Sequence, residues 1–250
     1  MLDRNNNICY LIIERNMSIL ILSCGRTGTN MLLESLRGSS TLRATPMPED
    51  KNVVRRGELV YENYLSKCDT VYIDDLLQVK KFMDNNPDLL ILWTIRDLRD
   101  TALSKIYRGQ PGNDTPMLAD DATFEGCLED IGWMKKVYDY IKKNYPNRIT
   151  LVKMEDVVLN FKETIQAVCK FCGIPYEDEM ENFVSRYRGS IKETKGRRYK
   201  TIDKAQVALY KRKYEIYDGF YKEHPIDLDA LFEKLGVYAS DFGYSGEEEC

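Results

Sequence analysis

Four absences bound this 250-residue chain before any motif is considered. It contains one histidine, His224, and no His/Cys/carboxylate cluster with metal-ligand spacing, so no metal site is expected. No apolar run reaches the ~20 residues that a membrane helix requires. The apolar segment Ile8 to Ile13 is short and runs into Glu14 and Arg15. A secretory signal pattern is missing as well, which with the cysteine usage predicts a cytoplasmic protein without a membrane span. Basic residues are not in excess: 36 Lys and Arg stand against 40 Asp and Glu, a formal charge of −4. That balance argues against a general nucleic-acid binder, and any anion site must come from local clustering of cations.

The seven cysteines are odd in number, scattered and mostly embedded in apolar segments, which reads as reduced thiols. Cys169 and Cys172 form a C-x-x-C inside a helical pattern, with no second pair or histidine to complete a zinc site, so core packing is expected. Hydrophobic residues make up 43% of the chain, enough for one large α/β domain over residues 1–250.

The stretch from Ser18 to Leu36 carries the clearest local signal. Ile19 to Leu22 is an aliphatic run of strand length, Gly25 and Gly28 punctuate the turn after it, and Asn30 to Leu36 resumes at helical spacing. A strand-to-helix turn of this kind exposes backbone N–H groups at the positive end of a helix dipole, and Arg26 adds a full charge. The loop is suited to an anion, most naturally a phosphate, although such turns also occur as plain connections. The pattern G-x-x-x-x-G-K-[ST] is absent, because Gly25 and Gly28 are too close and no lysine precedes Thr29.

Further along, residues 38–57 read as a long loop with Pro46 and Pro48, Glu58 to Ser66 as helix, Thr70 to Ile73 as a short strand ending in Asp74 and Asp75, and Leu76 to Met83 as helix. Leu89 to Ile95 has the continuous apolar character of a central parallel strand and stops at Arg96-Asp97-Leu98-Arg99-Asp100, with helix from Thr101 to Tyr107. A polar loop over residues 109–121, a long amphipathic helix at Phe124 to Asn144, a strand at Ile149 to Val152 and a helix at Phe161 to Cys172 come next, then a short helix from Glu179 to Tyr187. Six cations crowd residues 189–204, and helices are expected from Ala205 on. The alternation predicts a three-layer α/β architecture, with a central parallel sheet flanked by helices, a core over residues 18–200 and a helical C-terminal part over 201–250.

Three segments together resemble the sulfotransferases that use 3′-phosphoadenosine 5′-phosphosulfate (PAPS). Arg26-Thr27-Gly28-Thr29-Asn30 is similar to their first motif, and Arg96-Asp97-Leu98-Arg99-Asp100 with Ser104, eight residues after Arg96, to their second. Val152 to Val157, then Phe161 to Pro175, resembles a third, weaker one. The resemblance implies a P-loop-like sulfotransferase fold and a cofactor site of Gly25, Arg26, Thr27, Gly28, Thr29 and Asn30 at the phosphosulfate, with Arg96 and Ser104 at the 3′-phosphate. Lys195, Gly196 and Arg197 are the candidate for the family's loop over that phosphate. Two departures stand out: Leu98 replaces the motif's proline, and Met154 stands where an aromatic contact to the nucleotide is common, leaving Tyr72, Tyr107 or Trp93 to supply it.

The implied reaction moves a sulfuryl group from PAPS to a hydroxyl or amine of a small-molecule or carbohydrate acceptor and releases adenosine 3′,5′-bisphosphate. Arg26 would stabilise the developing charge. With one distant histidine, the base is sought among carboxylates: Glu49, placed as in bacterial sulfotransferases resembling the trehalose enzyme, or Asp74 and Asp75 at a strand's carboxyl end. A P-loop-like ATP-dependent kinase is the rival enzyme class but lacks its loop lysine. A non-catalytic nucleotide-binding protein is the other alternative. The acceptor and the oligomeric state are not legible in the sequence.

Overall fold

The computed structural model describes residues 17–45, 49–108, 123–183, 207–208 and 228–244. Five parallel strands form one sheet in the order β2-β3-β1-β4-β5: β1 (Ser18–Ser23), β2 (Arg43–Ala44), β3 (Tyr64–Asp69), β4 (Leu89–Ile95) and β5 (Ile149–Lys153). Helices α1 (Thr29–Leu36), α2 (Val53–Arg56), α3 (Leu76–Asn85), α4 (Leu98–Arg108), α5 (Phe124–Asn144), α6 (Met154–Leu159), α7 (Phe161–Cys172) and α8 (Leu228–Asp241) cover it.

The side-chain alternation of β1 builds the expected three layers. Leu20 and Leu22 face one cluster with Ile91, Trp93, Phe82 of α3, Ala102 of α4 and Met134 of α5, while Ile19 and Ile21 face another with Leu33 of α1, Leu92, Val157 of α6 and Ile165 of α7. Successive strand residues point to opposite faces, so a strand apolar throughout must be covered on both. Helix α8 adds Leu235, Ala239 and the following Phe242 to the first cluster, against α4 and α5. Trp93 is fully buried in that core, with Tyr138 5.3 Å away, so it cannot reach a nucleotide.

The termini of these helices follow local chemistry. Asp75 accepts the N–H of Gln78 at 2.8 Å to cap α3, and Thr123 accepts that of Gly126 at 3.0 Å to cap α5. Gly173, at φ 67°, closes α7 with Ile174 N–H bonded to the Cys169 carbonyl.

Two sequence expectations are corrected. The strand expected at Thr70–Ile73 is instead Tyr64–Asp69, which overlaps the end of the expected helix Glu58–Ser66, and Thr70–Tyr72 is a 3-10 turn. Tyr64, Leu65 and Ser66 are buried between neighbouring strands, and pairing on both edges outweighs the local helical pattern. The stretch 38–57 is not wholly loop either, since it holds β2 and α2. The expected segments 1–17 (all but Met17), 109–121 and 189–204, and most of 201–250, lie outside the described residues.

Candidate functional site

Strand β1 lies between β3 and β4, and the connections that leave β1 and β4 run toward opposite edges of the sheet. Open α/β sheets bind ligands at the carboxyl ends of such strands. The loop after β1 is held there from beneath. Thr27 is fully buried, and its hydroxyl bonds the Ser23 hydroxyl at 2.9 Å, the Cys24 carbonyl at 3.1 Å and the Thr94 hydroxyl at 2.9 Å, fastening the loop to β1 and β4. What Thr27 offers a ligand is therefore its backbone. Arg26 and Gly28 take left-handed backbone angles, φ 76° and 85°, and Gly28 precedes α1 with no side-chain cap on the helix. The N–H groups of the first turn, from Thr29 and Asn30 onward, are thus left to an incoming acceptor. A Cβ on Gly28 would stand 3.0 Å from Met154 Cγ, which fits a glycine in this close approach.

At the end of β4, Asp97 accepts from the backbone N–H of Arg99 at 2.9 Å and pairs with its guanidinium, while its own N–H donates to Glu155 Oε1 at 2.9 Å. Tyr244 donates its hydroxyl to the other oxygen of Glu155 at 2.9 Å, so the C-terminal segment braces this turn. Burial and the Glu155 charge hold the Tyr244 phenol far above its usual range. Leu98, in place of the motif's proline, is the buried first residue of α4. Arg96 is buried, with Asp100 one helical turn along at 3.6 Å. Arg26 Nε donates to Ser104 Oγ at 2.9 Å across 78 residues of sequence, joining the two motif segments in one place.

A group of titratable side chains that the sequence did not single out lies under the loop. Lys105, the residue after Ser104, is buried and paired with Asp130 of α5. Asp69 ends β3 opposite Ser23 of β1. A Cβ on Gly25 would be 2.9 Å from Asp69 Oδ2 and 4.0 Å from Lys105 Nζ, so glycine is required where these groups come up to the loop. Burial raises the Asp69 carboxyl to about 7, against the opposing pull of Lys105, with Asp130 and Glu49 adding to the rise. Burial likewise pushes the Cys24 thiol up. Burial works against the charge on Lys105, but Cys24, Asp130 and Asp69 together keep it above its ordinary value. With the strand expected at Thr70–Ile73, Asp69 stands ahead of it in sequence, whereas in the fold it ends β3.

The other sequence candidates fall further out. Glu49 is half-buried and 3.3 Å from Lys67 of β3. Asp74 is exposed, 2.6 Å from Arg55 and bonded to Gln78, and those hydrogen bonds hold its carboxyl below its usual range. Asp75 caps α3. The structure thus gathers Gly25, Arg26, Thr27, Gly28, Thr29, Asn30 and Ser104 around the loop, with Arg96 at the neighbouring strand end, whereas Lys195, Gly196 and Arg197 lie outside the described residues. Among the described residues no group of three or more His, Cys, Asp or Glu side chains is placed to hold a metal ion, and no helix is long and apolar enough to cross a membrane.

Comparison with known proteins agrees with this geometry. The family model for the sulfotransferase domain matches residues 16–218. The fold is similar to the sulfotransferase domain from the curacin biosynthetic pathway, with TM-score 0.62 and 14% identity over 92% of this chain and 98% of that one. It is also similar to mouse sulfotransferase SULT7A1 complexed with PAP, with TM-score 0.56 and 16% identity over 92% and 90% of the two chains. The sulfotransferase domain of the Synechococcus PCC 7002 olefin synthase gives TM-score 0.56 and 15% identity over 90% and 94%. No curated protein matches the chain. The match over 16–218 takes in both strand-end motifs and the parallel sheet that brings them together, and the chain belongs to the sulfotransferase domain family.

Proposed function

We propose that this sulfotransferase takes its sulfuryl group from PAPS and transfers it to a hydroxyl or amine of a small-molecule or carbohydrate acceptor. The observation that carries the donor assignment is the meeting of Arg26 with Ser104 beside an uncapped helix start. The residues fit an anionic donor: N–H groups of the α1 first turn, a left-handed Gly28 that keeps the loop open, and a guanidinium with a planar donor fork. The complex of mouse SULT7A1 with PAP supports the same choice.

When bound, PAPS supplies an activated sulfuryl group on a phosphate leaving group. The chain positions it and balances its charge, as in phosphoryl transfer. Arg26 and the backbone N–H groups of Thr27 to Asn30 hold the phosphosulfate oxygens and take up the negative charge that grows on the leaving phosphate. Ser104 sets the Arg26 side chain and, with Arg96, would serve the 3′-phosphate, for which Lys195, Gly196 and Arg197, outside the described residues, are further candidate ligands. A carboxylate near the mouth of the loop accepts the acceptor's proton; Glu49, Asp74 and Asp75 are those that the sequence offers. No metal is assigned a part, since fixed cations neutralise the donor. The thiols of Cys24, Cys68, Cys127, Cys169 and Cys172, all free and buried, are in keeping with a reducing cytoplasm.

Isothermal titration with adenosine 3′,5′-bisphosphate, ADP and ATP tests the donor. The bisphosphate is expected to bind at least tenfold more tightly than either. Preference for ATP would replace this reading with that of a kinase, and tight bisphosphate binding without turnover of PAPS would leave a nucleotide-binding protein.

A further inference from the structure

We propose that Asp69 is the group that takes the acceptor's proton, in place of Glu49 or Asp74, and that Lys105 and Asp130 position it beneath the loop; the assignment rests on the sulfuryl transfer proposed above.

Position is the first argument. Asp69 is the last residue of β3, in register with Ser23, the last residue of β1, so its carboxylate leaves the sheet beside the anion loop. Orientation is the second. Oδ1 is fixed by the Val71 N–H at 3.2 Å, and Oδ2 is turned to the loop, 2.9 Å from where a Cβ on Gly25 would be. The 3-10 turn after Asp69 is clamped in its turn, because Trp133 of α5 donates its indole N–H to the carbonyls of both Thr70 and Ile73 at 3.1 Å. Access is the third. Lys105 and Asp130 are buried, whereas Asp69 keeps partial exposure. The rival carboxylates are committed elsewhere, Glu49 to Lys67, Asp74 to Arg55 and Gln78, and Asp75 to the cap of α3.

Besides burial, the groups that set the proton affinity of Asp69 are Lys105 on α4, Asp130 on α5, the Val71 N–H and Glu49 before α2, and the buried Cys24 thiol after β1 also faces it. Their balance with burial places the carboxyl near 7, where a general base works best at neutral pH. In the step itself the proton of the acceptor O–H passes to Asp69 Oδ2. The acceptor oxygen forms a bond to sulfur, and the bond from sulfur to the 5′-phosphate oxygen breaks. Its electron pair stays on the phosphate of adenosine 3′,5′-bisphosphate, against Arg26. Glu49 acts through its charge alone, by keeping the Asp69 carboxyl high.

The test compares the full-length wild type with Asp69→Asn, Asp69→Glu, Glu49→Gln and Lys105→Met. Bisphosphate binding is followed by calorimetry from pH 5.5 to 8.5, in two buffers of different ionisation enthalpy. Release of bisphosphate from PAPS is followed with phenol, glucose and water as acceptors. Wild type is expected to take up a proton on binding the bisphosphate near pH 7.5, because the bound anion raises Asp69 further, and Asp69→Asn is expected to lose that uptake while binding within about threefold at pH 6. Turnover should fall about 100-fold or more in Asp69→Asn, recover in part in Asp69→Glu, and rise with pH through about 7 in wild type only. Glu49→Gln should keep most of its turnover and move the pH midpoint down. Lys105→Met should shift the midpoint as well as slow the reaction, which a purely structural defect would not do. Failure of wild type to bind the bisphosphate would overturn the donor reading and this assignment with it. Bisphosphate binding with no proton uptake, or Asp69→Asn with the wild-type pH profile, would overturn the assignment alone. Loss of the pH midpoint in Glu49→Gln instead would return the role to Glu49.

Discussion

At the scale of single residues, Arg26 combines an uncommon backbone with a fixed side chain. Its φ of 76° is costly for a residue with a Cβ, by about 1 kcal/mol. The surrounding loop imposes it through the three hydrogen bonds of Thr27, and Ser104 then determines where the guanidinium points. Arg26→Ala is expected to weaken adenosine 3′,5′-bisphosphate binding about 10- to 100-fold, the worth of one or two charge-assisted hydrogen bonds. Ser104→Ala should cost less, and Arg96→Ala should weaken binding while thermal unfolding stays cooperative. Calorimetry on the three variants checks the ranking, and equal affinity in all of them would remove these side chains from the site.

Asp69 makes a second prediction at this scale. Its carboxyl is near 7 in the folded chain and near 3.8 when unfolded. The native state therefore holds the proton more tightly between those values, and this stabilisation is present in full below about pH 4 and is lost as pH rises through about 7. Asp69→Asn keeps an acceptor for Val71 and removes the charge, so it should flatten this fall. Relative to wild type the variant is expected to gain about 1–2 kcal/mol between pH 5 and pH 8, after allowance for the partial exposure of the carboxylate. Urea unfolding at the two pH values measures the difference. A wild type that becomes more stable over that window for this residue would contradict the shift.

At the scale of elements, the loop between β1 and α1 depends on its fastening. Thr27→Val replaces the hydroxyl that links Ser23, Cys24 and Thr94 and is expected to destabilise the fold by about 1–3 kcal/mol, since the partners are buried. Gly28→Ala meets two obstacles, the left-handed φ and Met154 at 3.0 Å. It should lower the melting temperature modestly and reduce the stabilisation by adenosine 3′,5′-bisphosphate in a thermal shift assay by a larger factor. An unaltered shift would show that the loop tolerates a side chain there. Helices and the central strands were legible because each is a long local pattern. Phe124–Asn144, Leu89–Ile95 and Phe161–Cys172 have the bounds that their periodicity, caps and flanking turns suggest. Strand β3 was not, because Tyr64-Leu65-Ser66-Lys67-Cys68-Asp69 has no clean alternation and takes its conformation from partners on both edges. That one misplacement puts Asp74 and Asp75, rather than Asp69, at the expected strand's carboxyl end.

At the scale of the whole molecule, the two apolar faces of the sheet seal the cysteines as they seal the strands. Cys24, Cys68, Cys127, Cys169 and Cys172 are buried, and burial raises the thiols of Cys24, Cys68, Cys169 and Cys172, most of them far. Only Cys9 and Cys250 fall outside this set, so a thiol reagent at pH 8 is expected to find at most two fast-reacting groups in the native chain and all seven after denaturation. More than two fast thiols would mean that the layers open readily.

The sequence by itself determined the alternation of strand and helix, the anion loop at Gly25–Asn30 and the second basic strand end at Arg96, because each is written in a short contiguous run of residues with its own periodicity or turn chemistry. Tertiary structure alone decided that Arg26 meets Ser104 and that Asp69, Lys105 and Asp130 converge under Gly25. The sheet order β2-β3-β1-β4-β5 places β3 and β4 on either side of β1, and side chains from α4 and α5 enter the space beneath the loop. Such convergence depends on contacts between residues far apart in the chain, and the burial that raises the Asp69 carboxyl exists only once those contacts have formed.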